Sequence, residues 1–160
     1  MEIRKAVIAD LPRICEIYDV ARQFMRNTGN PTQWSNGYPE AALLQEDMQG
    51  GNLYIAMQDG TIVGVFALFT GADPTYGYIE GQWINDDPYV TIHRIASDGT
   101  QKGILQKAVD HAFAICGNVR IDTHHDNKVM QNLLERLGFT KCGIIYLENG
   151  DPRIAYQKQS

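Results

Sequence analysis

Apolar positions change period several times along the chain, dividing it into strand-like and helix-like segments. Ile3 to Val7 is a short β-like start. Asp10 then stands where a helix cap belongs, ahead of Leu11, Ile14, Cys15, Tyr18 and Met25 on a helical stripe. Asn27 to Pro39 breaks that stripe with glycine and proline, yet carries Trp34 and Tyr38, two large aromatics that a mere linker does not need. Pro39 opens a second short helix through Leu43, Leu44 and Met48, closed by Gly50-Gly51. Leu53 to Met57 and Ile62 to Phe69 are β-rich runs joined across Asp59-Gly60, which predicts an antiparallel hairpin. A polar stretch from Gly71 to Pro88 follows, within which Ile79 to Ile84 is a further sheet candidate, and Tyr89 to Ala96 resumes the strand pattern.

Gly103 then starts a helix with Ile104, Leu105, Ala108, Val109, Ala112, Ile115 and Cys116 on one face, and Gly117 sits where a C-terminal cap belongs. Val119 to Thr123 reads as a buried strand, and Asn127 to Leu137 as a helix carrying Val129, Met130, Leu133 and Leu134 before Gly138. Phe139 to Leu147 and Pro152 to Gln157 flank the turn Glu148-Asn149-Gly150-Asp151 as a terminal hairpin. The order predicts a mixed α/β fold built around one central sheet.

The 160 residues fit one domain spanning 1–160. The longest nearly unbroken apolar run, Ile62 to Phe69, is far shorter than the roughly 20 residues that cross a bilayer, so no membrane partner is expected. Met1 to Ala6 holds no apolar block of signal-peptide length, and the expected location is cytoplasmic. Cys15, Cys116 and Cys142 are odd in number and scattered among apolar residues, as reduced thiols are. A net charge of −5 argues against nucleic acid, whose non-specific binding rests on neutralised phosphates. A neutral or cationic substrate is easier to accommodate.

Chemistry concentrates in Ile92 to Leu105, a strand that runs through a polar turn into a helix. Helix-start amides and the helix dipole favour an anion, Gly103 permits close backbone approach, and Lys102 adds a cation. The alternative is an ordinary strand–helix turn, and a P-loop is excluded because Gly-Lys-[Ser/Thr] is missing.

Three separated segments carry a family resemblance. Arg4-Lys5-Ala6 through Asp10, Gln101-Lys102-Gly103-Ile104, and Asn127-Lys128-Val129-Met130 leading to Leu137-Gly138-Phe139 resemble, in order and spacing, the opening, pyrophosphate loop and late helix of the GNAT superfamily of N-acetyltransferases. The resemblance covers nearly the whole chain. It implies a mostly antiparallel sheet with splayed central strands, and acetyl-coenzyme A (acetyl-CoA) inserted where the Ile95 strand diverges from Val119 to Thr123. Backbone groups around Ile95 and Ala96 would hold the pantetheine arm, Thr100, Gln101, Lys102, Gly103, Ile104 and Leu105 the pyrophosphate, and Asn127 the cofactor near its arm.

Two features depart from the family pattern. Thr100 and Leu105 stand where Arg or Gln and Gly or Ala are usual, and Leu134 occupies the place of the tyrosine that protonates the departing thiolate. The resemblance therefore implies transfer of an acetyl group to a primary amine of a small molecule or peptide by direct attack, with proton-transfer groups to be found elsewhere. His93, Glu80 and Tyr146 are the candidates, with His124 and Tyr156 as further options. A catalytically silent coenzyme A-binding or sensing module is the competing reading.

His124-His125-Asp126 superficially suggests metal ligands, but adjacent residues on an extended segment point to opposite faces, so no metal is expected and Asp126 or Asn127 is read as a helix cap. Trp34 and Tyr38 either pack the long loop or line an acceptor pocket. With Glu80, Asp86 and Asp87 they would form an aromatic, acidic entrance for an ammonium group. Exposed strands and the terminal hairpin permit a homodimer.

Overall fold

A computed structural model describes residues 1–160. Its strands are β1 (Glu2–Lys5), β2 (Leu53–Gln58), β3 (Thr61–Thr70), β4 (Glu80–Gly81), β5 (Val90–Ser97), β6 (Asn118–Thr123), β7 (Thr140–Tyr146) and β8 (Pro152–Gln159). They form one eight-stranded sheet in the order β1-β2-β3-β5-β6-β8-β7-β4, antiparallel everywhere except between β5 and β6. The helices are α1 (Leu11–Asn27), α2 (Ala41–Gln49), α3 (Ile104–Ile115) and α4 (Lys128–Arg136). The mixed α/β architecture predicted from the apolar pattern is the one observed.

The sheet is buried on both faces by different partners. Ile14, Ile17 and Tyr18 of α1 and Leu44 of α2 pack on Ile55, Val65 and Ala67. Leu105, Ala108, Val109 and Ala112 of α3 and Leu134 of α4 pack on Phe66, Val90, Ile92, Val119, Ile121, Ile154 and Tyr156 from the other side. Period-two alternation assigns neighbours on β5 and β6 to opposite faces, so His93 and Asp122 lie on the α1/α2 side. Residues 71–89 cover the rest of that side, with Tyr76 and Trp83 seated on Ile145 and Ala155.

Two local expectations change, and the terminal hairpin forms where the pattern puts it. Asp10 occupies the N-cap position of α1 without bonding its amides; its carboxylate instead accepts from the Val7 N–H at 2.8 Å and pairs with Arg4 at 2.8 Å. Gly117 is not a left-handed cap, because α3 already ends at Ile115 and Cys116 is extended, leading straight into β6. In the terminal hairpin, the second strand lies inside the first: β8 pairs with both β6 and β7, and the two-residue β4 seals the edge. No helix is long and apolar enough to cross a membrane.

Candidate functional site

The central strands part company. β5 and β6 pair only at Val90–Val119 and Thr91–Arg120, although eight and six residues long, so the main chain beyond Ile92 and Ile121 has no ladder partner across the gap. Backbone donors and acceptors released in this way still require partners. The other edge of β5 bears a bulge: Arg94 and Ile95 together oppose the single residue Phe66, between the pairs His93–Ala67 and Ala96–Val65, with Arg94 at φ 52°. A bulge sharpens local twist and re-aims the side chains on either side of it. The Tyr18 hydroxyl donates to the Arg94 carbonyl at 2.6 Å, and the Arg94 guanidinium forks onto Asp47 at 3.0 and 2.9 Å, fixing the bulge from both ends.

A cavity of about 740 Å³ opens at this gap. It is lined by β5 and β6 through His93, Ile95 and Asp122, by the α1–α2 loop through Trp34 and Tyr38, and by Asp73, Asn127 and Arg153. Here His93 Nε2 lies 2.8 Å from Asp73 Oδ2. An ionised carboxylate only accepts, so the proton sits on Nε2 and the lone pair is left on Nδ1. Asp73 is itself held rigidly: Oδ1 accepts from the Thr75 amide and hydroxyl at 2.8 and 2.7 Å, and its own N–H donates to the Tyr89 hydroxyl at 2.8 Å. Burial alone pushes this carboxyl up, but the His93 and Thr75 hydrogen bonds prevail and bring it down to about 2.

The other predicted residues separate into distinct groups. Trp34 packs edge-on against Tyr18 with ring centroids 5.5 Å apart and also lines the cavity. Tyr38 lines it too, and its hydroxyl accepts from Arg94 Nη1 at 3.3 Å. Glu80 and Tyr146 meet each other, hydroxyl to carboxylate at 2.7 Å, on the exposed β4–β7 edge and do not line the cavity. Those two therefore fall outside the site because β4 closes the far edge of the sheet. Tyr156 is fully buried in the core under α3 and α4.

His124 has both ring nitrogens committed. Nδ1 accepts from the Asp126 amide at 3.0 Å, so Nε2 donates to Thr32 Oγ1 at 3.1 Å, and burial followed by the charge of Arg153 holds its pKa below the ordinary value. The chain has left β6 by this point, so the His124 and His125 rings stack at 4.2 Å instead of diverging as an extended strand would require. With Asp126 they could surround an ion, yet His124 could join it only by giving up one of those two bonds. Asn127 is the cap of α4, its Oδ1 accepting from the Met130 amide at 3.0 Å, while its Nδ2 donates to Gln33 of the α1–α2 loop at 2.9 Å.

The turn ahead of α3 lies outside the cavity. Asp98 accepts from the Thr100 amide at 2.9 Å and hydroxyl at 2.6 Å and is neutralised by Arg13 at 2.7 Å, so Thr100 is no free donor. Gln101, Lys102 and Gly103 are exposed, whereas the side chains of Ile104 and Leu105 are core. The first helical bond runs from the Lys107 amide to the Gly103 carbonyl at 3.0 Å, so the amides of Ile104, Leu105 and Gln106 have no partner within the helix. Gly103 adopts φ 88° with open space where a Cβ would stand. Ala96 is buried toward α1, is paired with Val65 of β3 and does not line the cavity.

Sequence reasoning missed Asp73, Asp122, Arg94 and Arg153. Asp73-Pro74-Thr75 is a turn-capping signature that could have flagged the first; the others have no local signal, because register alone brings them to the gap.

A sheet parted at its centre, with helices on both faces and a cavity at the parting, defines the class of fold. The Acetyltransferase (GNAT) family model matches residues 12–139, and the chain belongs to that family. A GNAT-family acetyltransferase from Streptococcus agalactiae 2603 superposes with a TM-score of 0.90 at 30% identity, covering 99% of this chain and 95% of that one. A GNAT-family acetyltransferase from Listeria monocytogenes 4b F2365 shares the fold at TM-score 0.72 and 20% identity, over 99% and 94% of the two chains. A ribosomal-protein-alanine N-acetyltransferase from Brucella melitensis does so at 0.65 and 18%, over the full length of both. A search of curated proteins returned no match.

Proposed function

We propose that this protein transfers the acetyl group of acetyl-CoA to a primary amine by direct attack. One observation carries the reading: a histidine oriented by a carboxylate stands in the cavity where β5 leaves β6. The residues at the gap suit the donor. Unpaired main chain around Ile95 and Ala96 supplies hydrogen bonds for an amide-rich arm, and the free amides opening α3, with Lys102 and the left-handed Gly103, suit a diphosphate. When bound, the thioester supplies an activated acetyl carbon and a leaving group that needs little help, since thiols ionise near pH 8.5.

An amine arrives largely as ammonium and must lose a proton before its lone pair can react. Nδ1 of His93 is the acceptor for that proton, and the Nε2–H bond to Asp73 stabilises the imidazolium that results. The C–N bond then forms as the C–S bond breaks, and the nitrogen gives up its second proton to solvent to leave the neutral amide. Leu134 is buried in the core, so no side chain at that position protonates the sulfur, and solvent does so. The acceptor side carries Trp34 and Tyr38 with Asp122, an aromatic and acidic surrounding that suits an ammonium group.

Release of free thiol from acetyl-CoA across a panel of amines, amino acids, polyamines and peptides tests the reading. His93→Gln is expected to lower kcat by roughly 100-fold or more while coenzyme A still binds. Undiminished turnover in that variant would remove His93 from the reaction, and failure of every acceptor to elicit thiol release would remove the activity.

A further inference from the structure

Several arginines of this protein are matched by carboxylates. Arg4 pairs with Asp10, Arg13 with Asp98 and Arg94 with Asp47. Arg120, though deeply buried, lies between the rings of Trp83 and Tyr89 at 3.9 and 4.0 Å and donates to the Asn85 carbonyl at 2.7 Å. Arg153 is different. It is only 7% exposed, it lines the cavity, and its one hydrogen bond runs from Nη1 to the neighbouring Pro152 carbonyl at 2.8 Å. Asp122 and Asp151 lie near enough for their charge to reach it, but neither forms an ion pair with it: Asp122 accepts from the Tyr76 hydroxyl at 2.6 Å and Asp151 from Asn149 Nδ2 at 3.2 Å.

Beyond its one bond to Pro152 the Arg153 guanidinium has no protein acceptor at the cavity, and its planar fork matches a carboxylate in two parallel hydrogen bonds. We infer that Arg153 receives the carboxylate of the acceptor, so that the substrate is a small amino acid whose amine is presented to His93 and whose acid end is held on β8. The inference rests on the amine-transfer reading and narrows its substrate class. Strand register supports it: Asp122 is the partner of Ala155 on β8, and Arg153 lies two residues further along β8 on that same face, the face that also carries His93. Acceptor amine and acceptor carboxylate therefore meet their partners on one side of the sheet, opposite α3 and α4.

Matched pairs test it. Thiol release from acetyl-CoA is measured for the common amino acids and for their carboxamides, with polyamines and peptides run alongside. The native protein is expected to use at least one amino acid about tenfold or more efficiently than its amide, through KM. Arg153→Gln is expected to erase that preference by raising KM for the acid to that of its amide, and Arg153→Lys to restore part of it. Amides used as well as acids, or a preference that survives Arg153→Gln, overturns the inference. Turnover confined to polyamines or peptides overturns it too, and leaves the amine-transfer reading standing. Failure of every amine to elicit thiol release overturns both.

Discussion

Asp73 shows how one side chain couples stability to chemistry. Its folded pKa of about 2 lies below the ordinary 3.8, so the stability it contributes is present above pH 3.8 and is lost as the pH falls toward 2. Asp73→Asn is expected to flatten that acid limb in a pH series of thermal melts. The same variant leaves His93 Nε2 without a charged partner, and kcat should fall while KM for acetyl-CoA holds; an unchanged kcat would make Asp73 merely structural. Asp47 belongs to the same scale. It is 5% exposed and its only charged partner, Arg94, is bound in a two-point fork. Asp47→Ala strands that cation at the bulge, and chemical denaturation should report a loss of about 3–5 kcal/mol.

Elements meet at tolerances of a few tenths of an ångström. A Cβ on Gly64 of β3 would stand 2.8 Å from Ile104 Cγ2 and 3.3 Å from the Ala96 carbonyl, so the sheet accepts the first turn of α3 only because residue 64 has no side chain. Gly64→Ala is expected to cost about 1–3 kcal/mol by overpacking. It should also weaken coenzyme A binding in a titration, because the amides that open α3 shift with Ile104. Asn127 joins three elements, capping α4 and reaching Gln33 across from the β6–α4 turn. Asn127→Ala should lower stability by about 1 kcal/mol through the lost cap. Hydrogen exchange should quicken in residues 30–38 as well as at the start of α4, where loss of the cap alone would touch only the helix.

Over the whole molecule, the α1–α2 loop is tied across the gap by two contacts, Thr32 to His124 and Gln33 to Asn127. His124 is held neutral, with a folded pKa below the ordinary 6.5. Its contribution is therefore intact above that value and is lost as the pH drops through it, because the unfolded chain takes up the proton more readily. Melting temperature should decline from about pH 7.5 to 5, and His124→Asn should reduce the decline. An unchanged slope would place the acid sensitivity elsewhere.

Element type and order were legible in the sequence because they rest on local period: the Asp59-Gly60 hairpin and the α3 stripe appear where the pattern puts them. Trp34, Tyr38, His93 and Ile95 were legible as cavity residues for a related reason, since each sits on an element whose place the pattern fixes. Local sequence thus determined the strands, the helices and the family-like turn before α3. Which strands part, and what gathers at the parting, was decided only in three dimensions. Glu80 and Tyr146 go to the far edge because β8 inserts between β6 and β7, whereas Asp73, Asp122 and Arg153 reach the gap through pairings between segments dozens of residues apart. No window of sequence carries that register; it is set when both faces of the sheet are buried at once.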